Sequence, residues 1–460
     1  MARFFFAIVL LSISAPAHGE SWRAGVAEID ITPPIGYRVA GYFYERISTG
    51  VHDPLKAKVV VLENGTNKAA LVFCDLVEMT LPVSIPARKE ASAQTGIPIA
   101  NILICATHSH TGPLFNDLRR DVFHAAAMEQ YGKDPTEPID YPKWLAERLV
   151  DVIVKANANI RPAQLKAGFA QQEGLAFNRR YFMKNGKVAW NPGLLNTNIV
   201  KPAGPTDPAV PIVLVESVEG NKSKPVGAIT IFAMHADTTG GTQFSADYPF
   251  YLQEELRKAY GPDFISMFGA GTCGNINNIN VSVDATKQKK TAELGSTLGK
   301  TVLARVPTLQ QIEHPSLAVR SEKIVVPLQE VTPEKVAEAQ ATLKKLSHGK
   351  LTVEAFKVAD LGRRGKTWPM EVQVFRLGSD TAIVGLPAEI FVEFGFAIKK
   401  ASPFKNTFVI SICNDRPNYI PTLEGFAQGA YEAINSRVQP GTGEKLVEIA
   451  TKLLKELKAN

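Results

Sequence analysis

The sequence lacks the cysteine patterns that build disulfide frameworks or compact thiolate metal sites. Its 460 residues include only four cysteines, which are far apart: Cys74, Cys105, Cys273 and Cys413. No CxxC pair or other short spacing occurs. All but Cys273 end apolar, β-rich runs, where a cysteine is most often a small buried hydrophobic residue. We therefore infer no cysteine framework.

Long apolar runs and concentrated charge are also missing. Beyond the N-terminal segment, no stretch reaches the ~18 consecutive apolar residues that indicate a membrane-spanning helix. The 51 basic and 45 acidic residues give a net charge of +6, without a block of like charge longer than short pieces such as residues 287–290. An ordinary solvated surface explains this better than an anionic lipid or polysaccharide partner, and nothing indicates nucleic acid.

The first residues, MARFFFAIVLLSISAPAHGE, have the pattern of a secretory signal peptide. An early arginine precedes an apolar run over residues 4–13, and small residues up to Gly19 suit a leader peptidase. An uncleaved anchor fits less well, because the run is about half of the ~20 residues needed to span a bilayer. We expect residues 1–19 to be a signal peptide and residues 20–460 to form a secreted or periplasmic domain without a transmembrane segment.

No internal repeat, low-complexity segment or long linker divides the chain. With 45% hydrophobic and 21% charged residues, it can bury a large core. Residues 57–76 predict a hairpin around an Asn-Gly turn, and residues 22–125 read as mostly β. Because hairpins and crossovers alternate irregularly, we predict one large mixed α/β domain, with a mixed sheet flanked by helices and a site at the strand ends. The predicted helices cover residues 82–96, 141–160, 248–261, 287–306, 332–349 and 444–457.

Five strand-like runs end in polar loops that carry reactive side chains: ATHSHTGP, AMHADTTGG, CGNINNIN, LPAEIFVE and NDRPNYIP. Proteins of the α/β class build their sites at strand ends. In the first loop, His108 and His110 point to the same side if the segment is extended. They then either chelate one metal together, or supply one ligand and one neighbouring acid or base. Solvated or core histidines remain an equal alternative.

Two later loops supply further potential ligands. His235 is a third imidazole at a strand end, and Glu389 is a carboxylate within an apolar stretch. A buried unpaired carboxylate costs several kcal/mol, so Glu389 needs a cation or donors; alternatively, it is a helix N-terminal acid after Pro387. Imidazoles with one carboxylate are ligands of catalytic zinc, which polarises carbonyls and lowers the pKa of water to about 7. The set indicates hydrolytic chemistry.

Seven motifs in order resemble the catalytic domain of the neutral/alkaline, non-lysosomal ceramidases: AGVAEIDITPPIG, GVHDPLKAKVVVLENG, ATHSHTGP, FNRRY, FAMHADTT, LPAEIF and CNDRPNYIPT. They extend over residues 22–443, and the ordered set is more specific than any one motif. The resemblance implies an amidohydrolase that uses Zn²⁺ to split the N-acyl bond of a sphingoid lipid such as ceramide.

The resemblance also implies roles for individual residues. The zinc ligands would be His108, His235, Glu389 and Tyr419. His110 would lie beside the activated water and the scissile amide, and Arg179 is similar to the arginine that meets the substrate. Taken alone, a tyrosine at the end of an apolar strand is usually a core residue, and Arg179 reads equally well as a surface arginine.

Three features differ from the family pattern. Where the family carries a serine in a loop like GDxSPN or GNxSPN, this chain has Asn277, which cannot be a nucleophile but can donate to a developing oxyanion. DRPNYIP differs from the family's aromatic-rich tyrosine loop, which puts the pocket shape and the substrate in question. We also expect the further β-rich C-terminal domain of the ceramidases to be absent.

Three functions remain open. The favoured one is an exported zinc-dependent amidohydrolase acting on a ceramide-like lipid or another N-acylated compound, in which His110 shuttles the proton while Arg179 and Asn277 steady the substrate. The second is a zinc hydrolase of a different bond, such as an ester or a sugar-linked N-acyl group. The third is a non-catalytic binding protein, because the family serine is replaced.

Overall fold

The computed structural model describes residues 21–345 and 352–459, so the predicted signal peptide lies outside the described residues. The strands are β1 Arg23–Asp30, β2 Gly50–Val51, β3 Lys56–Asn64, β4 Asn67–Cys74, β5 Ile102–Ala106, β6 Arg161–Gln171, β7 Phe177–Asn178, β8 Arg180–Met183, β9 Val188–Trp190, β10 Ile199–Pro202, β11 Ala209–Glu219, β12 Lys222–Phe232, β13 Gln243–Phe244, β14 Ile265–Ala270, β15 Ile276–Asn277, β16 Gln310–Gln311, β17 Leu317–Pro327, β18 Thr367–Leu377, β19 Thr381–Gly385, β20 Glu389–Ile390, β21 Asn406–Ile410 and β22 Tyr419–Ile420.

Helices connect these strands and cover both sides of the molecule. They are α1 Leu81–Thr95, α2 Leu118–Tyr131, α3 Tyr141–Ala158, α4 Tyr248–Tyr260, α5 Thr291–Arg305, α6 Pro333–Lys345, α7 Val353–Arg363, α8 Val392–Ala401, α9 Leu423–Gln428, α10 Ala430–Asn435 and α11 Thr442–Ala459. The helices expected from periodicity are α1 and α3 to α6 together with α11. The expectation that residues 22–125 are mostly β is wrong at α2, which begins at Leu118.

The larger sheet is mixed, as predicted. Its strand order is β14-β12-β11-β6-β1-β3-β4-β5, with β16 paired to β6. β3 and β4 form the expected hairpin, in which Asn64 faces Asn67 across the turn; Gly65 has a φ of 58°, which glycine adopts without steric cost. The pairs β4·β5 and β12·β14 are parallel, whereas the central strands are antiparallel.

A second sheet, in the order β17-β18-β19-β21, packs face to face with the first. The period-two alternation of apolar residues explains this arrangement. In β3, Val60 points into the core between the two sheets, where Phe375 and Ile383 of the second sheet also lie. Val59 points to the opposite face, into the core beneath the helices. The architecture therefore has four layers, with helices outside each sheet.

Helices cover the outer faces of both sheets. Apolar residues of α1 and α3, such as Val83 and Leu149, pack on one part of the larger sheet. Helices α4 and α5 cover the other part, and α8 and α11 cover the second sheet. Among residues 21–345 and 352–459, no helix combines the length and apolar character needed to cross a bilayer. All four cysteines are buried and free.

Candidate metal centre

The candidate ligands come from loops that follow different strands. His108 follows β5, His235 follows β12, and Glu389 and Tyr419 lie on the short paired strands β20 and β22, with Glu389 directly opposite Tyr419. β5 and β12 belong to the larger sheet, whereas β20 and β22 form a separate two-stranded sheet and follow β19 and β21 of the second sheet along the chain. The ends of these strands meet at one edge of the two packed sheets. The predicted position of the site at strand ends is therefore observed.

His108 is held by the backbone of a neighbouring loop. Its φ is 71°, so the extended geometry that we predicted for residues 108–110 is wrong, because β5 ends at Ala106 and the chain then turns. The Nδ1 atom lies 2.7 Å from the carbonyl oxygen of Val77. Since a carbonyl oxygen only accepts, Nδ1 carries the proton and Nε2 presents a lone pair to the site.

His235 is oriented in the same way. Its Nδ1 lies 2.8 Å from the carbonyl oxygen of Cys273 and 2.9 Å from that of Ile276. Cys273 lies in the loop between β14 and β15 and Ile276 begins β15, so this segment fixes the imidazole and leaves its Nε2 unprotonated. Burial, assisted by the nearby Arg179, lowers the pKa of His235 to about 3. The imidazole is therefore neutral at physiological pH, as metal binding requires.

Glu389 completes the group. Its Oε2 lies 3.1 Å from Nε2 of His108 and 3.1 Å from Nε2 of His235. Burial by itself would raise the pKa of this carboxyl, but its surroundings, with the guanidinium of Arg416 among them, hold it well below its ordinary value. Because Glu389 lies in β20 and α8 begins only at Val392, the helix N-terminal alternative for this acid is wrong.

The donor set fits a cation such as Zn²⁺. Two imidazole lone pairs and one carboxylate oxygen converge, while both Nδ1 protons are committed to backbone carbonyls. Three acceptor atoms at hydrogen-bond distance repel one another unless a positive charge lies among them. Imidazole nitrogens with one carboxylate oxygen are ligands that zinc prefers.

Tyr419 lies at the same centre. Its hydroxyl is 3.5 Å from Nε2 of His235, and the two rings stack at a centroid distance of 6.3 Å. The side chain is buried, which raises the pKa of Tyr419 well above its ordinary value. The tyrosine is buried like a core residue, and its hydroxyl lies beside Nε2 of His235; its role as a metal ligand stays a prediction.

His110 lies beside the ligands. Its Nε2 is 3.3 Å from Nε2 of His108, and its Nδ1 is 3.6 Å from a carboxylate oxygen of Asp237. The other oxygen of Asp237 accepts a hydrogen bond of 2.8 Å from the hydroxyl of Tyr42. Burial, together with the neighbouring histidines, lowers the pKa of His110 well below its ordinary value. Although the pair is not extended, His108 and His110 do come together.

Arg179 is a buried residue of the site, so its reading as a surface arginine is wrong. Its Nε donates to Glu432 at 2.8 Å and one terminal nitrogen donates to the carbonyl of Gly274 at 2.7 Å. The other terminal nitrogen lies 3.2 Å from Nε2 of His235. The guanidinium also lies 5.3 Å from the ring centroid of Tyr419. It is thus fixed in orientation beside the potential ligands.

Asn277 lies nearby, but its amide is engaged elsewhere. Its Nδ2 donates to Oδ1 of Asn191 at 3.0 Å, and its Oδ1 accepts from the backbone N–H of Ile279 at 3.1 Å. None of its described side-chain hydrogen bonds reaches the three converging ligands. The suggestion that this amide donates to an oxyanion stays a prediction.

Sequence reasoning missed two charged residues of the site. Arg416 donates to Oε1 of Glu389 at 2.7 Å and also pairs with Glu78, so it holds the oxygen of Glu389 that faces away from the histidines. A carboxylate oxygen of Asp237 lies 3.6 Å from Nδ1 of His110, on the side of the imidazole that faces away from His108. Both lie within the polar loops that supplied the ligand candidates. A search for charged residues within three positions of each candidate ligand would have found them.

The space around the ligands is small. Phe43, Phe356 and Tyr431 help to enclose it, and it offers about 20 Å³ to the centres of water molecules. This is enough for one water molecule or one ion. The centre is therefore shielded from bulk solvent, which strengthens electrostatic interactions within it.

A second cluster has the composition of a metal site but a different environment. His124, Asp134 and Glu137 bring three potential ligand atoms together. However, Arg38 donates to Asp134 at 2.6 Å, and Arg120 donates to Glu137 at 2.7 Å. The carboxylates are thus already neutralised by guanidinium groups, so this cluster is an ion-pair network.

The sequence and the fold are similar to those of known proteins. No protein-family model matches the chain. Neutral ceramidase B of Dictyostelium discoideum is 23% identical over 279 residues, which are 56% of this chain and 36% of that protein. Neutral ceramidase of Pseudomonas aeruginosa is 21% identical over 510 aligned positions, covering 94% of this chain and 72% of that protein.

Solved structures agree with these sequence matches. The crystal structure of neutral ceramidase from Pseudomonas aeruginosa superposes with a TM-score of 0.73 at 18% identity, over 96% of this chain and 75% of that one. A structure described as ceramidase complexed with C2 gives a TM-score of 0.71 at 17% identity, over 96% and 76%. The predicted resemblance to neutral ceramidases is therefore confirmed in sequence and in fold.

Proposed function

We propose that this protein is an exported, zinc-dependent amidohydrolase that cleaves the N-acyl amide bond of a ceramide-like compound. The proposal rests above all on the convergence of two imidazole lone pairs and one carboxylate oxygen, in His108, His235 and Glu389. The similarity to neutral ceramidases supports the class of reaction. The N-terminal residues 1–19 would direct export, and residues 20–460 would form the catalytic domain.

The ligands of the zinc would be His108, His235, Glu389 and Tyr419. When bound, Zn²⁺ supplies a Lewis acid that polarises the amide carbonyl and lowers the pKa of water. The backbone carbonyls that hold the two imidazoles fix their tautomers, and Arg416 orients the carboxylate of Glu389. Such outer contacts commonly matter for metal affinity nearly as much as the ligands do.

His110 is the residue that would move the proton. Its Nε2 faces the converging ligands and its Nδ1 faces the carboxylate of Asp237. With the proton of the neutral imidazole on Nδ1, Nε2 is free to accept a proton from attacking water and to return it to the leaving amine. Tyr42 donates to Asp237 and so limits the rotation of that carboxylate.

Arg179 would orient the substrate beside the metal ligands. Glu432 and the carbonyl of Gly274 fix two of its nitrogens, and the third lies at the site. A fixed guanidinium can donate to an acyl oxygen without a further loss of side-chain entropy. In the proposed reaction Asn277 contributes a more distant amide, whose present partners are Asn191 and Ile279.

The decisive experiment replaces two ligands together. In the double variant His108→Ala/His235→Ala we expect loss of bound zinc and of amide hydrolysis. Zinc content is measured by elemental analysis, and hydrolysis by release of fatty acid from an N-acylated sphingoid base. The control is His124→Ala, which removes an imidazole from the ion-pair network of His124, Asp134 and Glu137 and should retain both properties.

Each outcome separates the possible functions. Retained zinc in the folded double variant would contradict the ligand assignment. Stoichiometric zinc in the native protein without hydrolysis of any acyl amide or ester would identify a binding protein and reject the enzyme. Turnover of other acyl compounds but not of sphingoid amides would keep the chemistry and change the substrate.

A further inference from the structure

A large cleft lies directly beside the candidate metal centre. It measures about 570 Å³, within the usual range for small-molecule sites. Phe356, Arg416 and Asn418 line both this cleft and the small space around the metal ligands, so they form the partition between the two. The cleft therefore offers space, next to the metal centre, for the rest of a substrate whose amide reaches the metal.

The carboxylates in the walls of the cleft already have partners. Asp117 forms a bidentate ion pair with Arg119, with hydrogen bonds of 3.0 and 2.6 Å. Asp415 accepts a hydrogen bond of 2.6 Å from the indole N–H of Trp368. Glu78 pairs with Arg416. These carboxylates are therefore engaged by groups of the protein itself, and they would repel an anionic ligand only weakly.

Asp360 is the most heavily engaged of these acids. One of its oxygens accepts from Nε of Arg363 at 2.8 Å and from Nε of Arg364 at 3.2 Å. Its other oxygen accepts from Arg437 at 3.1 Å. Arg363 also donates to Asp121 at 2.6 Å. The positive charge around Asp360 therefore exceeds its single negative charge.

Arg364 differs from the other arginines of the cleft. Its guanidinium lies 3.7 Å from the ring centroid of Trp368, and Asp360 fixes its Nε. Among the described residues, none accepts a hydrogen bond from its two terminal nitrogens. A guanidinium that is stacked on an aromatic ring and tethered at Nε has a defined plane, and its free edge matches a carboxylate or a phosphate group.

The walls of the cleft are unsuited to a long alkyl chain. An alkyl chain would remove water from charged and polar groups, including Arg364 and Thr367, without offering hydrogen bonds in return. A polar anionic group would instead satisfy the unused donors. The cleft is therefore matched to a different substrate from a two-chain lipid.

We propose that this cleft binds the anionic end of an N-acylated substrate, whose carboxylate or phosphate pairs with Arg364 on Trp368. The inference rests on the proposed amidohydrolase activity and replaces the ceramide-like substrate of that proposal with a different class. The substrate is then a polar, acidic N-acyl compound, and Arg364 determines the specificity of the enzyme.

The test compares substrates that share the same short acyl amide. One series carries a carboxylate on a glycine, γ-aminobutyrate or ε-aminohexanoate spacer, one compound is an N-acylethanolamine phosphate, and one is the neutral N-acylethanolamine. For the zinc-loaded wild-type enzyme we expect kcat/KM to be about tenfold or more higher for at least one anionic compound than for the neutral one. The carboxylate and phosphate arms identify which anion fits.

Two variants assign the preference to this arginine. Arg364→Gln should abolish the preference for anionic over neutral compounds, while Arg364→Lys keeps the charge but not the planar guanidinium and should retain part of the preference. Arg320→Gln is the control, because Arg320 is an exposed arginine of β17 and its loss changes the net charge equally.

Failure of this inference is distinct from failure of the proposed function. Equal kcat/KM for neutral and anionic compounds, a preference for a long-chain ceramide, or an anion preference that survives Arg364→Gln would overturn the inference while the enzyme remains an amidohydrolase. Absence of turnover with every compound by the zinc-loaded protein would reject the proposed function itself.

Discussion

Asp415 and Arg416 are adjacent residues that face opposite electrostatic surroundings. Arg416 is buried between two carboxylates, those of Glu78 and Glu389, which compensate its charge. Asp415 is also buried, but the closest side-chain partner of its carboxylate is the neutral indole of Trp368. One residue thus stabilises the candidate metal ligand, whereas the other carries an uncompensated cost of burial.

This difference predicts a pH effect on stability. Burial raises the pKa of Asp415 to about 6 from 3.8. Since the folded state then holds a proton that the unfolded state has released, the free energy of unfolding should fall as pH rises from about 4 to 6, by about 3 kcal/mol at most. In Asp415→Asn this part of the pH dependence should vanish. Urea unfolding of both proteins across this pH range measures it.

This prediction is tested by how the free energy of unfolding changes with pH, and not by its value at any one pH. Asparagine changes the hydrogen bond to Trp368, so the variant will differ from the wild type at every pH. Parallel curves for the two proteins between pH 4 and 6 would mean that Asp415 is ionised throughout in the folded state. The control is Asp263→Asn, because Asp263 is an exposed residue of a turn.

The sequence could identify the candidate metal-binding donors but not their orientation. His108, His235 and Glu389 were recognisable because each follows an apolar run and imidazoles with a carboxylate are zinc ligands. The left-handed conformation of His108 and the carbonyl that holds its ring depend on a loop some thirty residues away, at Val77. The pairing of Glu389 with Arg416 likewise depends on tertiary contact alone.

At the scale of elements, the site depends on how closely one loop packs on a short strand. Gly274 lies in the loop whose carbonyls hold His235 and Arg179, and its N–H donates to the carbonyl of Ile390 in β20. A Cβ at Gly274 would lie 2.5 Å from the carbonyl oxygen of Glu389. Real Cβ atoms do not approach backbone this closely, so the loop and β20 would have to separate.

Gly274→Ala should therefore weaken zinc binding as well as stability. We expect a loss of about 1–3 kcal/mol in the free energy of unfolding, because the backbone must shift to relieve the contact. The shift moves Glu389 relative to His235, so zinc affinity measured by competition with a chelator should also fall. Gly240→Ala is the matched control, since a Cβ there meets nothing within 4 Å. Unchanged zinc affinity in Gly274→Ala would show that the ligand geometry tolerates this displacement.

Helices and strands with a clear period of apolar residues were predictable from the sequence. Elements whose bounds depend on tertiary contacts were not. The hairpin of β3 and β4 has its own turn signal at Asn64 and Gly65, and α3 has a regular apolar face. In contrast, α7 is a short helix that begins after residues 346–351, and its buried Phe356 packs on Phe43 across the site. Its boundaries and its contact with the site follow from tertiary packing, which local periodicity does not encode.

At the scale of the whole molecule, the candidate ligands tie distant parts of the chain together. His108 follows the larger sheet at β5, His235 follows it at β12, and Glu389 follows the second sheet at β19. The mixed sheet and the flanking helices were predictable from composition and patterning. The division into two packed sheets was not, because apolar alternation shows that a strand is buried on a face but not which sheet covers that face.

A metal that joins both sheets should stabilise the entire fold. The ligands converge only in the folded chain, so a cation that binds them favours the folded state by RT ln(1 + [L]/Kd), about 2.7 kcal/mol when free zinc is 100 times Kd. We expect the melting temperature of the metal-free protein to rise progressively with added zinc, as measured by scanning calorimetry. The variant His108→Ala/His235→Ala should show no such rise, whereas His124→Ala, in the arginine-paired cluster, should behave like the wild type. A rise of equal size in the double variant would place the stabilising zinc elsewhere and would contradict the assignment of this centre.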